Sequence, residues 1–297
     1  MTFDLLTYSA ERREWVEKAL DRFVPPQTAT PESLHRSVRY SLFCGGKRLR
    51  PLLTIAGAEV VGGNPEHVLA LACAVECIHT FSLIHDDLPA IDNDDLRRGH
   101  PTNHKVFGEA IAILSGDALL ALSFELIGKC RENCSADRVI RVLDIIARAT
   151  GTDGMVGGQV VDIESERKDD LDVDTVKWIH GRKTGALLTA SLVGGAILAG
   201  ADADQEQALT SFGEKIGLAF QITDDLLDIY GDALKIGKPV GSDLKHDKAT
   251  YPKVLGLERS QMLAQDAHDS AVAALSMFGD KAEPLKALAA YIIGREQ

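Results

Sequence analysis

Apolar residues along this chain recur at three- and four-residue spacing, the pattern of helices that bury one face. No segment sustains the strict alternation of a half-buried strand, so a strand-rich fold is excluded. Prolines and glycine pairs end the apolar runs, as they commonly end helices. Helices are predicted over 9–24, 32–43, 51–61, 67–88, 108–130, 136–150, 173–199, 204–230, 258–278 and 283–294. With no internal repeat or linker, the sequence predicts one all-α domain spanning residues 1–297.

Two long polar stretches interrupt this helical pattern, and an aspartate cluster stands at the start of each. The stretch IDNDDLRRGHPTNHK follows the helix predicted over 67–88, and GDALKIGKPVGSDLKHDKATYP follows the one over 204–230. Carboxylates beside apolar runs are costly unless a cation compensates them. Mg²⁺ takes oxygen ligands of this kind, commonly one or two carboxylates together with substrate phosphates. The two clusters therefore predict a diphosphate held through metal ions from both sides.

The second cluster has regular helical spacing. Asp224 and Asp228 are four residues apart and share a helix face with Gln221. Gly213 and Gly217 continue that line backwards, and we expect this strip of small residues to leave room for an apolar substrate tail.

The first cluster needs a break in its helix. Asp86 and Asp92 are six residues apart, which on a straight helix separates them by about 120°. Pro89 lies between them and cannot continue the hydrogen-bonding pattern. We predict a kink or helix end near Leu88–Pro89 that brings both carboxylates to one metal site. His85 beside Asp86 also resembles the His-Asp pair of metal phosphohydrolases, an alternative without further histidine ligands at suitable positions.

Cations accompany the clusters. The segment GGKRLRP combines glycines, which allow close backbone approach, with Lys and Arg, which bind phosphate oxygens. It lacks the spacing of a P-loop. Arg97 and Arg98 follow the first cluster, and His79 lies on the same helix face as Asp86, where it can donate a hydrogen bond to phosphate.

Composition and charge argue against a nucleic-acid-binding, secreted or membrane-spanning protein. The net charge of -12 argues against a nucleic-acid partner, since no broad basic surface is expected. The five cysteines form no CxxC pair and are expected to be reduced and mostly buried. The first residues do not have the pattern of a signal peptide, and no uncharged stretch reaches the length of a membrane span. We expect a cytoplasmic protein without membrane insertion.

Taken together and in order, GGKRLRP, CIHTFSLIHDDLPAIDNDDLRRG, GRKTGALL, FQITDDLLDIYG and GKPVGSDLKHDKATYP resemble the trans-isoprenyl diphosphate synthases, above all the farnesyl diphosphate synthases of bacteria. The resemblance covers most of the chain. It implies the isoprenoid-synthase fold, a bundle of long helices around a deep cavity, in a homodimer. It also implies a prenyltransferase that uses three Mg²⁺ ions, with Mn²⁺ as an alternative.

The resemblance implies a role for each matching residue. The metal ligands would be Asp86, Asp92 and Asp224, with Asp87, Asp225 and Asp228 ligating or supporting them. The allylic diphosphate would meet Arg97, Lys183, Lys238 and Lys248. Isopentenyl diphosphate would meet Gly46, Lys47, Arg50, His79 and Arg98. The allylic carbocation would face Lys183, Thr184 and Gln221, with Phe220 also in the substrate site.

The implied reaction joins isopentenyl diphosphate to dimethylallyl and then geranyl diphosphate by ionisation, condensation and proton loss. We expect the fifteen-carbon farnesyl product, because Phe81 stands where the family places a bulky floor that stops chain growth. An ideal helix puts Ser82 more directly beneath Asp86, so geometry alone leaves the stopping residue open.

Other prenyl diphosphate synthases, a terpene cyclase and a non-catalytic subunit are the alternative functions. Geranyl or geranylgeranyl diphosphate synthases use the same chemistry with another cavity depth. A terpene cyclase needs no second diphosphate pocket, and a non-catalytic subunit would be expected to have lost one aspartate cluster. The C-terminus keeps only Arg295 where relatives often have two basic residues, which leaves its closing role in doubt.

Overall fold

A computed structural model describes residues 3–166, 172–230 and 248–294. These residues are helical almost throughout. The helices are α1 (Leu5–Phe23), α2 (Glu32–Leu42), α3 (Leu49–Val60), α4 (Leu69–Asp86), α5 (Asn103–Phe107), α6 (Glu109–Lys129), α7 (Ala136–Thr150), α8 (Met155–Ser165), α9 (Val173–His180), α10 (Ala186–Ala199), α11 (Ala203–Tyr230), α12 (Tyr251–Leu255), α13 (Leu257–Ala274) and α14 (Glu283–Gly294). Within the described ranges, strand structure is limited to the antiparallel pair β1 (Leu96–Arg97) and β2 (His100–Pro101). The all-α prediction is confirmed.

The helix predicted over 173–199 is divided into three parts. A single π-helical turn, Gly181–Gly185, stands between α9 and α10. Such turns are rare and often occur at functional sites. Helices α5, α8 and α12 were not predicted, because α5 and α12 have only five residues each within polar stretches, and α8 contains two adjacent glycines.

The core forms around α4 and α10. Helix α4 packs against α6 and α3, while α10 packs against α3, α7 and α11. Both helices are buried on nearly every face, which their continuous apolar sequence requires. Each fully buried Leu or Ile contributes about 1.5–3 kcal/mol to folding. This rigid centre fixes the two helices that carry the aspartate clusters, α4 and α11.

Two helical stretches, Pro65–Asp86 and Glu109–Glu132, are long and apolar enough to cross a membrane on length and composition alone. The first is 67% buried inside the protein, as expected for a core helix, and the second is 39% buried. The exposed apolar face of α6 is considered below.

Candidate active site

A cavity of about 710 Å³ opens between the ends of α4 and α11. It extends from the loop before α3, past the end of α4, to the π-turn and the start of α12. Most residues that the sequence singled out line it: Gly46, Lys47, Arg50, His79, Asp86, Asp92, Arg97, Arg98, Lys183, Thr184, Phe220, Gln221, Asp224, Asp225 and Lys248. Residues just over 200 positions apart therefore share one cavity, with the carboxylates grouped at one end and a cluster of cationic side chains at the other.

The first aspartate cluster is shaped by the end of α4. The helix stops at Asp86, as the position of Pro89 predicted, and the chain turns back. The amide of Asp92 donates to the carbonyl oxygen of Asp86, with an N···O distance of 2.8 Å. Burial raises the pKa of the Asp86 carboxyl, Lys183 lowers it, and the nearby Asp92 raises it again. Two carboxylates thus face one small volume, an arrangement that favours a bound cation.

Asp87 points away from its neighbour and holds Arg97. The Arg97 Nε donates to both carboxylate oxygens of Asp87, at 2.7 and 2.9 Å, and its Nη2 lies 2.6 Å from Oδ1. Burial raises the pKa of Asp87 to about 6, although Arg97 acts against this shift. The sequence left Asp87 as a metal ligand or a support, and in this structure its carboxylate supports Arg97.

The aspartates of the second cluster also differ in whether they face the cavity or hold other parts of the protein. Asp224 lines the cavity beside Gln221. Asp225 accepts a hydrogen bond from the backbone amide of Tyr251 at 2.9 Å, and so ties α11 to the start of α12. The side chain of Asp228 is buried, and it is not among the residues that line the cavity.

The expectation for the strip of small residues on α11 is wrong. A Cβ added to Gly213 would lie 2.9 Å from Thr189, and one added to Gly217 would lie 3.0 Å from the Cα of Gly185. Both glycines allow α11 to pack closely on α10 and the π-turn. They do not open space for a substrate tail.

The π-turn presents Lys183 to the carboxylates. A Cβ on Gly158 would lie 2.4 Å from the amide nitrogen of Lys183, so glycine is required for α8 to pack beneath the turn. The Lys183 Nζ donates to Asp162 Oδ2 at 2.7 Å. Burial acts to lower the pKa of Lys183, but Asp162 and Asp86 outweigh it and hold the pKa above its usual value. Lys183 is therefore a fixed cation.

Asp162 and His180 also line the cavity, although they were not identified as site residues from the sequence. Asp162 is 7% exposed and follows the apolar run of α8. A lone carboxylate beside apolar residues is the signal that identified the aspartate clusters, so it was available here too. His180 gave no such signal. Burial lowers its pKa to about 4, which keeps the ring neutral at neutral pH.

Lys248 connects the two halves of the site. Its Nζ lies 3.5 Å from Asp92 Oδ2, although the two residues are 156 positions apart in sequence. The segment before α12 thus places a second cation beside the first aspartate cluster.

The other end of the cavity is cationic. Gly46 has a φ of +129°, and a Cβ there would lie 2.6 Å from the Arg98 guanidinium, so glycine makes room for that side chain. Arg98 follows β1 at the hairpin turn and donates to the Gly45 carbonyl. Burial lowers the pKa of Arg50 to about 10, which leaves it charged at neutral pH. Burial and the neighbouring Arg50 lower the pKa of His79, so its ring is neutral.

The carboxylates fit Mg²⁺ in combination with a diphosphate. In the ranges that the structure describes, no three carboxylate, imidazole or thiol groups gather into a complete metal site. Asp86, Asp92 and Asp224 nevertheless line one cavity, and they supply the hard oxygen donors that Mg²⁺ prefers. Mg²⁺ commonly takes only one or two carboxylates and completes its coordination with water and phosphate oxygens. The donor set agrees with that mode of binding.

Two further predicted residues, Phe81 and Ser82, stand apart from the cavity lining. The Phe81 ring is buried and packs edge-on against His85, with ring centroids 5.2 Å apart. The Ser82 hydroxyl donates to the carbonyl of His79 at 2.9 Å. Neither is among the described residues that line the cavity. Lys238 lies outside the described residues, and its role remains a prediction.

Relatives of known activity resemble the whole chain. A geranylgeranyl diphosphate synthase of Cyanophora paradoxa is 48% identical over 99% of this chain and 97% of its own length. The structure of an FPP/GFPP synthase from Zymomonas mobilis superposes with a TM-score of 0.87 at 38% identity, covering 98% of this chain and 99% of that one. The geranylgeranyl pyrophosphate synthetase of Pyrococcus horikoshii gives a TM-score of 0.88 at 30% identity, covering 98% of both chains.

These neighbours confirm the isoprenoid-synthase fold and prenyltransferase activity that the motifs implied. The model of the polyprenyl synthetase family matches residues 31–283, which include both aspartate clusters and the cationic end of the cavity. The chain belongs to the polyprenyl synthetase family.

Proposed function

We propose that this prenyltransferase condenses isopentenyl diphosphate with allylic diphosphates to give the twenty-carbon geranylgeranyl diphosphate. The observation that carries the proposal is near full-length identity of 48% to a geranylgeranyl diphosphate synthase. Two chloroplast relatives at 46–47% identity bear the same name.

The expectation of a farnesyl product is wrong. It rested on Phe81 as the floor of the cavity, whereas four relatives that match 99% of this chain are named for the twenty-carbon product. The position of the Phe81 ring, packed on His85, offers no support for a stop at fifteen carbons.

In the proposed reaction, the allylic diphosphate binds at the carboxylate end of the cavity. Asp86, Asp92 and Asp224 would hold Mg²⁺ there. Bound Mg²⁺ supplies Lewis-acid stabilisation of the negative charge that develops on the departing diphosphate. Arg97, fixed by Asp87, and Lys183, fixed by Asp162, place two further cations at the same end. Because these cations are already in position, little reorganisation is needed as the C–O bond breaks.

The cationic end of the cavity would bind isopentenyl diphosphate. Arg50, Arg98 and Lys47 provide charge-assisted hydrogen bonds, and neutral His79 provides a single donor. The alkene electron pair then attacks the allylic cation and forms the new C–C bond. His79 and His180 are weak bases, since burial lowers both pKa values, so we assign the proton that is lost to the released diphosphate.

Product length is tested by incubating the enzyme with isopentenyl diphosphate and each of three primers: dimethylallyl, geranyl and farnesyl diphosphate. We expect all three to be extended and geranylgeranyl diphosphate to be the main product, measured by chromatography after dephosphorylation. Extension that stops at fifteen carbons, with farnesyl diphosphate refused as a primer, would contradict the proposed product. No extension of any primer would contradict the proposed function as a whole.

We also propose that the protein is a homodimer, with a second copy covering α6. Leu114, Ala121 and Phe124 lie on one face of this helix and are exposed to solvent. Exposed apolar surface of this extent usually marks an interface. A second copy brings the same apolar face, and two-fold symmetry makes such a face self-complementary.

Light scattering coupled to gel filtration tests this proposal. Wild-type protein is expected at twice the chain mass of 32.0 kDa. Leu114→Glu buries a charge in the proposed interface and is expected to yield monomer, whereas Leu6→Glu, at another exposed apolar position, leaves the dimer intact. A wild-type protein that is monomeric at micromolar concentration would contradict the proposal.

A further inference from the structure

Glu76 is a buried carboxylate on the wall of the cationic end of the cavity. It lies on α4, three residues before His79, with its side chain only 2% exposed. Burying a carboxylate costs several kcal/mol unless it is well paired. At this position it also repels the diphosphate that the pocket is proposed to bind. Both the burial of this carboxylate and its repulsion of a diphosphate are unfavourable, so we expect Glu76 to have a compensating role.

The first part of the explanation is Arg48. Its guanidinium is completely buried and donates to three oxygens: Nε to Glu17 at 2.7 Å, Nη1 to Glu76 Oε1 at 2.6 Å, and Nη2 to the Leu42 carbonyl at 2.6 Å. Each nitrogen of Arg48 is thus already engaged within the protein. Although Arg48 belongs to the cationic motif, its contacts are structural.

These contacts hold Arg48 in an unusual backbone conformation. Its φ is +52°, in the left-handed region that residues with a Cβ rarely adopt. Arg48 stands directly before α3, with Lys47 on its loop side and Arg50 in the first turn of the helix, so its conformation sets the relative directions of these two side chains. The ion pair with Glu76 therefore fixes the direction of the cations on either side.

The second oxygen of Glu76 makes no hydrogen bond in the described structure. Glu76 Oε2 and Arg50 Nε are both buried, and neither has a hydrogen-bond partner in the described structure. Glu76 also interacts electrostatically with Arg50 and with Arg98. The carboxylate thus lies within range of three guanidinium groups, and it offsets the repulsion among them.

We infer that Glu76 is a positioning residue for the isopentenyl diphosphate pocket: it anchors Arg48 with one oxygen and holds the guanidinium of Arg50 in place through the charge of the other. The inference rests on the proposed function of this pocket. It predicts an effect opposite in sign to simple electrostatics. Removing a negative charge from a diphosphate pocket should tighten binding if charge alone matters, whereas losing a positioning group should weaken it.

The test is Glu76→Gln, which keeps the size of the side chain and removes its charge. We expect the KM for isopentenyl diphosphate to rise about tenfold, while the KM for the allylic primer changes less than about twofold. Titration calorimetry with isopentenyl diphosphate should show the same weakening without turnover. Glu59→Gln is the matched control, because Glu59 is a half-buried carboxylate that pairs with Arg12 and Tyr8 outside the cavity.

The outcomes are distinct. An unchanged or lower KM for isopentenyl diphosphate in a folded Glu76→Gln variant would overturn the inference, and so would an equal rise in both KM values. If Glu59→Gln reproduces the selective rise, the effect is general destabilisation and the inference also fails. Wild-type enzyme that extends no primer would instead refute the proposed function. Thermal melting of each variant establishes that it is folded.

Discussion

Removing divalent metal is expected to abolish chain elongation by this protein, lowering its rate about 10³-fold or more. Asp86, Asp92 and Asp224 place three carboxylates where the allylic diphosphate is proposed to bind. Without a metal cation these groups repel the substrate and its leaving group. Lys183 and Lys248 are already engaged by Asp162 and Asp92, so they offset this repulsion only in part.

The measurement is product formation after EDTA treatment, followed by stepwise addition of Mg²⁺. We expect activity to return with Mg²⁺, while circular dichroism shows the same helical content with and without chelator. Asp224→Asn should require more Mg²⁺ for half-maximal activity, and Asp137→Asn, at an exposed position in the first turn of α7, should not. Elongation that continues unchanged in excess chelator would contradict the role assigned to the aspartates.

The features of the fold and site that were predicted correctly depend on residues close together in the sequence. A helix end near Leu88–Pro89 was predicted because Pro89 cannot continue a helix, and α4 ends at Asp86, two residues before Leu88. The all-α fold was predicted from the three- and four-residue spacing of apolar residues, which is also a local pattern. Both predictions depend on interactions between residues a few positions apart, which a sequence displays directly.

Features that depend on packing between distant segments were not predictable. The small residues of α11 were expected to open the cavity, but they are in contact with α10 and the π-turn, which only the assembled fold reveals. The apolar neighbours of Asp162 could have marked it as a candidate, but its pairing with Lys183, 21 residues away, was not visible in the sequence. Neither Phe81 nor Ser82 is among the described residues that line the cavity, so positions along one helix did not identify the residue that limits product length.

Lys183→Ala is expected to cause the largest loss among single substitutions outside the aspartate clusters, a fall in kcat of about 10²–10³-fold. The Nζ of Lys183 lies 2.7 Å from Asp162 and also interacts with Asp86 and Asp92. Its loss removes a fixed cation from the side of the leaving diphosphate. It also leaves Asp162 buried without its partner, which we expect to lower the free energy of unfolding by about 2 kcal/mol.

Asp162→Asn separates these two effects. In that variant the cation remains but is less firmly held, so kcat should fall only about tenfold, and Lys183→Arg should recover part of the activity lost in Lys183→Ala. Because the two side chains act as one unit, the double variant Lys183→Ala/Asp162→Asn should be no slower than Lys183→Ala alone. Single-turnover rates with saturating substrates give these values. Equal losses from Lys183→Arg and Lys183→Ala would show that charge at this position is not what the reaction needs.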